Sequence, residues 1–145
     1  MTAISFISLL DPIYDEAIAL ALNSKEYFSY YDNMDKDFLS YMTRMQMIDE
    51  MRILTIRLTE IVSWAFAIRA LHNNEIDAEE IDKKYRISKD EYLLQPYAKQ
   101  IPLPKEMTEL LTKSHILYIR TSRLIDDAVK NLQINNRRYG IAEHA

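Results

Sequence analysis

Cysteine is absent from this chain, which removes disulfide frameworks, thiolate metal sites and cysteine nucleophiles at once. A reducing compartment fits. Glycine occurs once and proline four times in 145 residues, so the turn residues that many short strands need are missing and the composition points to helices. A single glycine also excludes a phosphate-cradling glycine loop and the Gly-x-Ser-x-Gly elbow of hydrolases. Histidine is scarce, with His72, His115 and His144 as the full set. None lies in Glu-x-x-His, which carboxylate-bridged metal bundles use, nor in the His-Glu-x-x-His of zinc hydrolases, so neither metal nor cofactor is expected. An excess of positive charge is lacking too: the formal charge of −4 offers no general attraction to phosphate backbones, and nucleic acid is not an expected partner. The apolar run from Ile61 to Leu71 is too short to span a bilayer and contains Arg69. The N-terminal MTAISFISLL has neither the basic region nor the cleavage site of a signal peptide. These absences place the protein in the cytoplasm, without membrane insertion.

What is present is helical periodicity, in a chain 48% hydrophobic and 28% charged, as an ordinary single domain is. Asp11 and Pro12 have the form of an N-cap and first helical residue, followed by Tyr14, Ala17, Ile18, Ala21, Leu22, Phe28 and Tyr31 at helical spacing. Asp32 and Asn33 supply a break. A second helix is predicted from about Asp37 to Leu71, with Met47, Met51, Leu54, Leu58, Ile61, Ala65 and Ile68 alternating steps of four and three. A third starts at Pro104 and repeats that seam with Met107, Leu111, Ser114, Tyr118, Thr121, Ile125, Ala128 and Leu132. Two such seams imply long helices packed side by side. The long connection from Asn74 to Leu103 lacks a period, but Asp77 with Glu80 and Ser88 with Glu91 each have capping-box spacing, so one or two short helices are expected there. The polar INNRRYGIAEHA after Leu132 reads as a flexible tail. The expectation is an all-α three-helix bundle over residues 1–132, with a long connection between its second and third helices and a tail over 133–145.

The central helix is more apolar than a one-faced helix needs to be. Around RLTEIVSWAFAIRAL, residues 57–71, a helical wheel centred on Leu58 places Asp49, Glu60 and Ala67 opposite the seam and sets Ile53, Ile56, Trp64 and Leu71 on that far side or its flanks. Either the other two helices wrap more than half of its circumference, or the surplus face meets a second copy or another protein. Ile53, Ile56, Trp64 and Leu71 are therefore the candidate interface, with the helix touching its neighbours near the middle and a second protomer at the margin. Arg69 falls within the seam face; Asp126 or Asp127 is its candidate partner if it is buried, and the alternative is a head group that escapes at the helix end.

Catalytic constellations are hard to assemble. Asp49 and Glu50, like Asp126 and Asp127, are helix neighbours about 100° apart that share no site, and they read as solvated charge or salt-bridge partners. Ser114 and His115 fail as a dyad for the same reason. Arg138 with His144 resembles the Arg-x(4–6)-His signature of HEPN-type ribonucleases, but the pair lies in the expected tail, which makes a ribonuclease the weakest of the readings.

The order of residues along the second and third helices is more informative. Glu50-Met51-Arg52, Thr55, Arg57-Leu58, Ser63-Trp64 and Arg69-Ala70-Leu71, then Glu75, are followed by Leu103-Pro104, Ser114, Leu117-Tyr118, Arg120 and Arg123-Leu124. Over residues 38–132 this pattern resembles the regulator of CtrA degradation family of alphaproteobacteria, with Arg57, Ser63, Arg69, Arg120 and Arg123 as the matching scaffold. The resemblance implies a non-enzymatic, homodimeric three-helix bundle, recruited to a cell pole, that acts as an adaptor in cell-cycle proteolysis. Such an adaptor works with ClpX of the ClpXP protease and a receiver-domain protein, and its cargo includes a CtrA-like response regulator. A helical scaffold or signalling module unrelated to proteolysis is the alternative.

Overall fold

The computed structural model describes residues 3–33, 40–84, 87–88, 90–96 and 103–144, and all regular structure among them is helical. Three long helices, α1 (Ala3–Asn33), α2 (Tyr41–His72) and α5 (Lys105–His144), pack pairwise around one core. Two short ones, α3 (Ala78–Lys84) and α4 (Glu91–Leu94), occupy the connection.

The two seams form the core as their spacing requires. Met47, Leu54, Leu58, Ile61, Ala65 and Ile68 of α2 are buried with Met107, Leu111, Ser114, Tyr118, Thr121 and Ile125 of α5. The first helix differs from its sequence reading in start and in register. It begins at Ala3 rather than at Asp11, so Pro12 lies inside it and the rung that its N–H would supply is missing. Leu10 and Ile13, on either side of the proline, are both buried, and that burial stabilises the helix through the gap. Its core stripe is Leu10, Ile13, Ala17, Leu20 and Ser24, whereas Ala21 and Leu22 are exposed.

The termini of α2 follow from capping chemistry. The expected start at Asp37 lies outside the described residues; Ser40 is the N-cap, its Oγ accepting from the Thr43 N–H at 3.1 Å. At the other end Asn74 takes the left-handed φ of 59°. The Glu75 N–H then reaches the Ala70 carbonyl at 2.9 Å and the Asn74 N–H reaches that of Leu71 at 3.1 Å, the paired bonds of a Schellman ending. Asn tolerates this conformation better than other residues with a β-carbon. Asn74→Ala is expected to cost about 1 kcal/mol, read as a lowered urea midpoint with an unchanged slope.

One of the two predicted caps in the connection holds. Asp77 Oδ1 accepts from the Glu80 N–H at 2.8 Å and starts α3. Ser88 does not cap α4: the helix starts at Glu91 behind Asp90, and the Ser88 hydroxyl donates to Glu60 of α2 instead. A tertiary acceptor has displaced the local N–H donor that a cap would use. At the far end α5 continues past Leu132 to His144, so the residues read as a tail are helical backbone. Arg138 and His144 both lie on that helix, not in a coil, and six residues of helix set their positions about 120° apart around its axis.

Candidate protein-interaction surface

The second side of α2 is met by the chain itself. Gln46, Glu50, Ile53, Arg57, Glu60, Trp64, Ala67 and Leu71 form a second stripe with the same alternation of four and three, on which apolar residues mix with a glutamine, two carboxylates and a guanidinium. Glu50, Arg57, Trp64 and Ala67 on it are buried, and the others are half-buried. The connection carrying α3 and α4 packs against α2 and closes over this stripe.

Arg57, 2% exposed, is the anchor. Its Nε donates to the Leu93 carbonyl at 2.9 Å, Nη2 to the Gln95 carbonyl at 2.7 Å and Nη1 to Ser114 Oγ of α5 at 3.2 Å. His115 Nε2 lies 2.7 Å from the Leu94 carbonyl; a carbonyl only accepts, so this nitrogen carries the proton. The carbonyls at the end of the four-residue α4, orphans in any helix, are thus taken up by side chains from α2 and α5. Burial pulls the Arg57 guanidinium below the ordinary arginine range, with Glu50 and then Tyr118 acting against the shift. Serine and histidine, neighbours that could not form a dyad, act here on different partners: Ser114 also donates to the Leu111 carbonyl at 2.9 Å.

Glu50 is 6% exposed, which corrects its reading as solvated charge. Burial pushes its carboxyl above the ordinary range, opposed by the Gln46 amide at 3.0 Å and by the Arg57 charge, while Asp49 adds to the rise. A second polar knot lies one turn along α2. The Tyr118 hydroxyl reaches Glu60 Oε2 at 2.6 Å and contacts the Ser88 carbonyl, and Ser88 Oγ donates to the other Glu60 oxygen. Burial, then the adjacent Glu60 carboxylate, push the phenol above its usual range, with Ser88 opposing.

That rise has a definite sign. The folded chain holds the Tyr118 proton more tightly than the unfolded chain, whose tyrosine ionises near pH 10. The contribution is therefore complete below pH 10 and is lost as pH rises through the elevated folded value. Tyr118→Phe is expected to cost about 1–2 kcal/mol at neutral pH and to flatten the fall in stability above pH 10, both read from urea titrations at a series of pH values.

The other expected site residues are dispersed. Trp64 is 1% exposed, so its second-side contact is with its own chain and not with a second protomer, as the sequence reading had it. Ile53, Ile56 and Leu71 are half-buried against the same core. Arg69 is an exposed residue, and its ion pair is with Asp11 of α1 rather than with Asp126 or Asp127 of α5, which its burial would have called for. Arg120 reaches Glu16 of α1 at 3.3 Å, while Arg123 and Ser63 are exposed. Beside the covered stripe, Glu50, Ile53, Asp90, Glu91, Tyr92, Gln95 and Pro96 line an open cleft of about 730 Å³ between α2 and α4. Glu50, Glu60, Ser88 and the α4 carbonyls were missed in the sequence. Their only signal was the seven-residue step from Glu50 to Arg57 and the three-residue step on to Glu60, which mark one helical stripe.

The described residues include no cluster of three or more histidine and carboxylate side chains suited to a metal ion, and no helix among them is long and apolar enough to cross a membrane. The family model described as "Protein of unknown function (DUF1465)" matches residues 4–144. The chain belongs to the DUF1465 family. This is the domain family of RcdA, in agreement with the resemblance in α2 and α5. No curated protein matches the chain in sequence. Among solved structures it is similar to the crystal structure of RcdA from Caulobacter crescentus CB15, at 24% identity, with 83% of this chain and 90% of that chain covered and a TM-score of 0.64. The shared fold of this DUF1465 chain is the all-α bundle.

Proposed function

We propose that this protein is a non-enzymatic, cytoplasmic adaptor that helps to deliver cell-cycle regulators, among them a CtrA-like response regulator, to the ClpXP protease. The observation that carries the reading is the match to RcdA in fold across most of both chains, joined to membership of the same domain family. The polar seam suits such a role: its buried charges are spent on holding the connection in place and leave the chemistry of substrates to others. In this proposal residues 1–132 are the bundle and 133–145 its extension, the protein is a homodimer recruited to a cell pole, and ClpX with a receiver-domain protein is the partner assembly. With Trp64 internal, Ile53, Ile56 and Leu71 remain as the interface margin. An adaptor acts by mass action, because one surface on the protease assembly and another on cargo make their encounter effectively intramolecular.

The test is a reconstituted degradation reaction with purified ClpXP, a receiver-domain partner and a CtrA-like regulator. Adding the protein is expected to speed loss of the regulator severalfold, with no effect when the receiver-domain partner is omitted. An unchanged rate alongside intact binding would remove the adaptor reading in favour of a helical scaffold or signalling module.

A further inference from the structure

The bundle has an open corner. α5 fills one side of the α1–α2 pair, and on the other side Ala21, Lys25 and Phe28 of α1 face Thr55, Leu58 and Val62 of α2 across a groove of about 600 Å³. Both walls have seam spacing. On α1, Tyr14, Ile18, Ala21, Lys25 and Phe28 alternate steps of four and three, and on α2 so do Thr55, Thr59, Val62 and Phe66. Tyr14 and Phe66 meet edge to face at 5.5 Å and close one end. Residues at this spacing accept knobs from another helix, and no helix among the described residues supplies them.

Two observations describe what would fit. Ser24, 4% exposed and lining the groove, has a buried hydroxyl with no hydrogen-bond partner. A helical serine can return its hydroxyl to the carbonyl one turn back, and this one does not, which leaves the hydroxyl available to a polar group of an occupant. The second is charge. Lys25 is the one charged residue among the described residues that line the groove, and Arg52 follows on the α2 stripe toward its N-terminus, in a chain with more acidic than basic residues. Asp11, the carboxylate that continues the α1 stripe past Tyr14, is already paired with Arg69. A second copy docking through this same face would bring no counter-charge to Lys25.

We infer that the α1–α2 groove is the docking site for an acidic amphipathic helix of a partner protein, which lies between the two helices as the fourth member of the bundle. Its apolar residues at three and four spacing pack on Phe28, Leu58 and Val62, a carboxylate faces Lys25, and a polar side chain satisfies Ser24 Oγ. The inference rests on the interaction reading above only in that the ligand is a protein segment, and proteolysis has no part in it.

The probe is a synthetic helical peptide of about 18 residues, enough to run the length of the α1 wall, with leucine at seam positions and glutamate on its flanks; its twin carries lysine in place of glutamate. Fluorescence anisotropy with the whole protein is expected to show micromolar binding of the acidic peptide and at least tenfold weaker binding of the basic twin. Lys25→Glu is expected to reverse that preference, and Ala21→Trp, which fills the groove from an exposed position, to abolish binding while the thermal melt is unchanged. Equal binding of the two peptides, or acidic-peptide binding that survives Ala21→Trp, overturns the proposal. So does a wild-type dimer that Ala21→Trp converts to monomer, since the occupant is then a second copy. The assay contains neither protease nor cargo, so its failure and failure of the degradation reaction are separate results.

Discussion

Replacing Arg57 by leucine is expected to lower the stability of the bundle by about 3–5 kcal/mol. The substitution preserves an apolar stem but removes three donors from a position 2% exposed. The buried Leu93 carbonyl then loses its partner within the fold, at about 1–3 kcal/mol, while the half-covered Gln95 carbonyl loses a charge-assisted bond but can turn to water. Ser114 is less affected, because its own hydroxyl still donates to Leu111. Arg57→Lys is expected to recover less than half of the loss, since one ammonium cannot reproduce a planar fork that binds in three directions. Urea titration measures the total. Hydrogen exchange at Leu93, Leu94 and Gln95 locates it: these amides are expected to open before those of the α1–α2–α5 core, because Arg57 and His115 are what hold α4 to the bundle. A variant as stable as the wild type, with slow exchange at α4, would show that the connection is held by its apolar contacts alone.

Trp64→Ala is expected to cost about 3–5 kcal/mol, the range for deleting a large aromatic side chain from a packed interior. The measurement that matters is how this loss varies with protein concentration. Trp64 is 1% exposed within a single chain, so the decrease in urea midpoint should be the same across a hundredfold range of concentration. A tryptophan buried mainly by a second protomer would give a loss that changes with concentration, because assembly contributes to the stability of such a protein by mass action. That result would return Trp64 to the interface, whereas the same experiment on Ile53→Asp or Leu71→Asp tests the half-buried margin that remains.

The helices and their core faces were legible in the sequence because a single rule governs both. Seams with steps of four and three in α2 and α5 are cheap to recognise, and once two long helices each carry one, water drives those faces together whatever the details. The same rule read α1 only in part: Ala17 is in the core as its spacing implies, but Ala21 and Phe28 line the open groove, and Leu10, Ile13 and Leu20 complete the buried stripe. Spacing identifies a stripe; it does not say which of two stripes is buried. The start of α1 was misjudged for a related reason, as Pro12 is a local signal for a helix start that burial of Leu10 overrides.

Polar contacts were the part that sequence could not decide. Arg57 and Arg69 look alike in the chain, yet one is buried against α4 and the other pairs with Asp11 at the surface. Ser88 has a local partner at capping distance in sequence and abandons it for Glu60. Each outcome depends on which acceptors the connection brings within about 3 Å, a distance set by the packing of segments that lie far apart in sequence. By itself, then, the sequence determined an all-helical chain, the core faces of α2 and α5 and the family to which they point, since these follow from composition, periodicity and residue order. The tertiary structure alone decided that the second side of α2 is covered by the chain's own connection, that Trp64 is internal and that the corner between α1 and α2 stands open, because burial and hydrogen bonding are properties of neighbours in space.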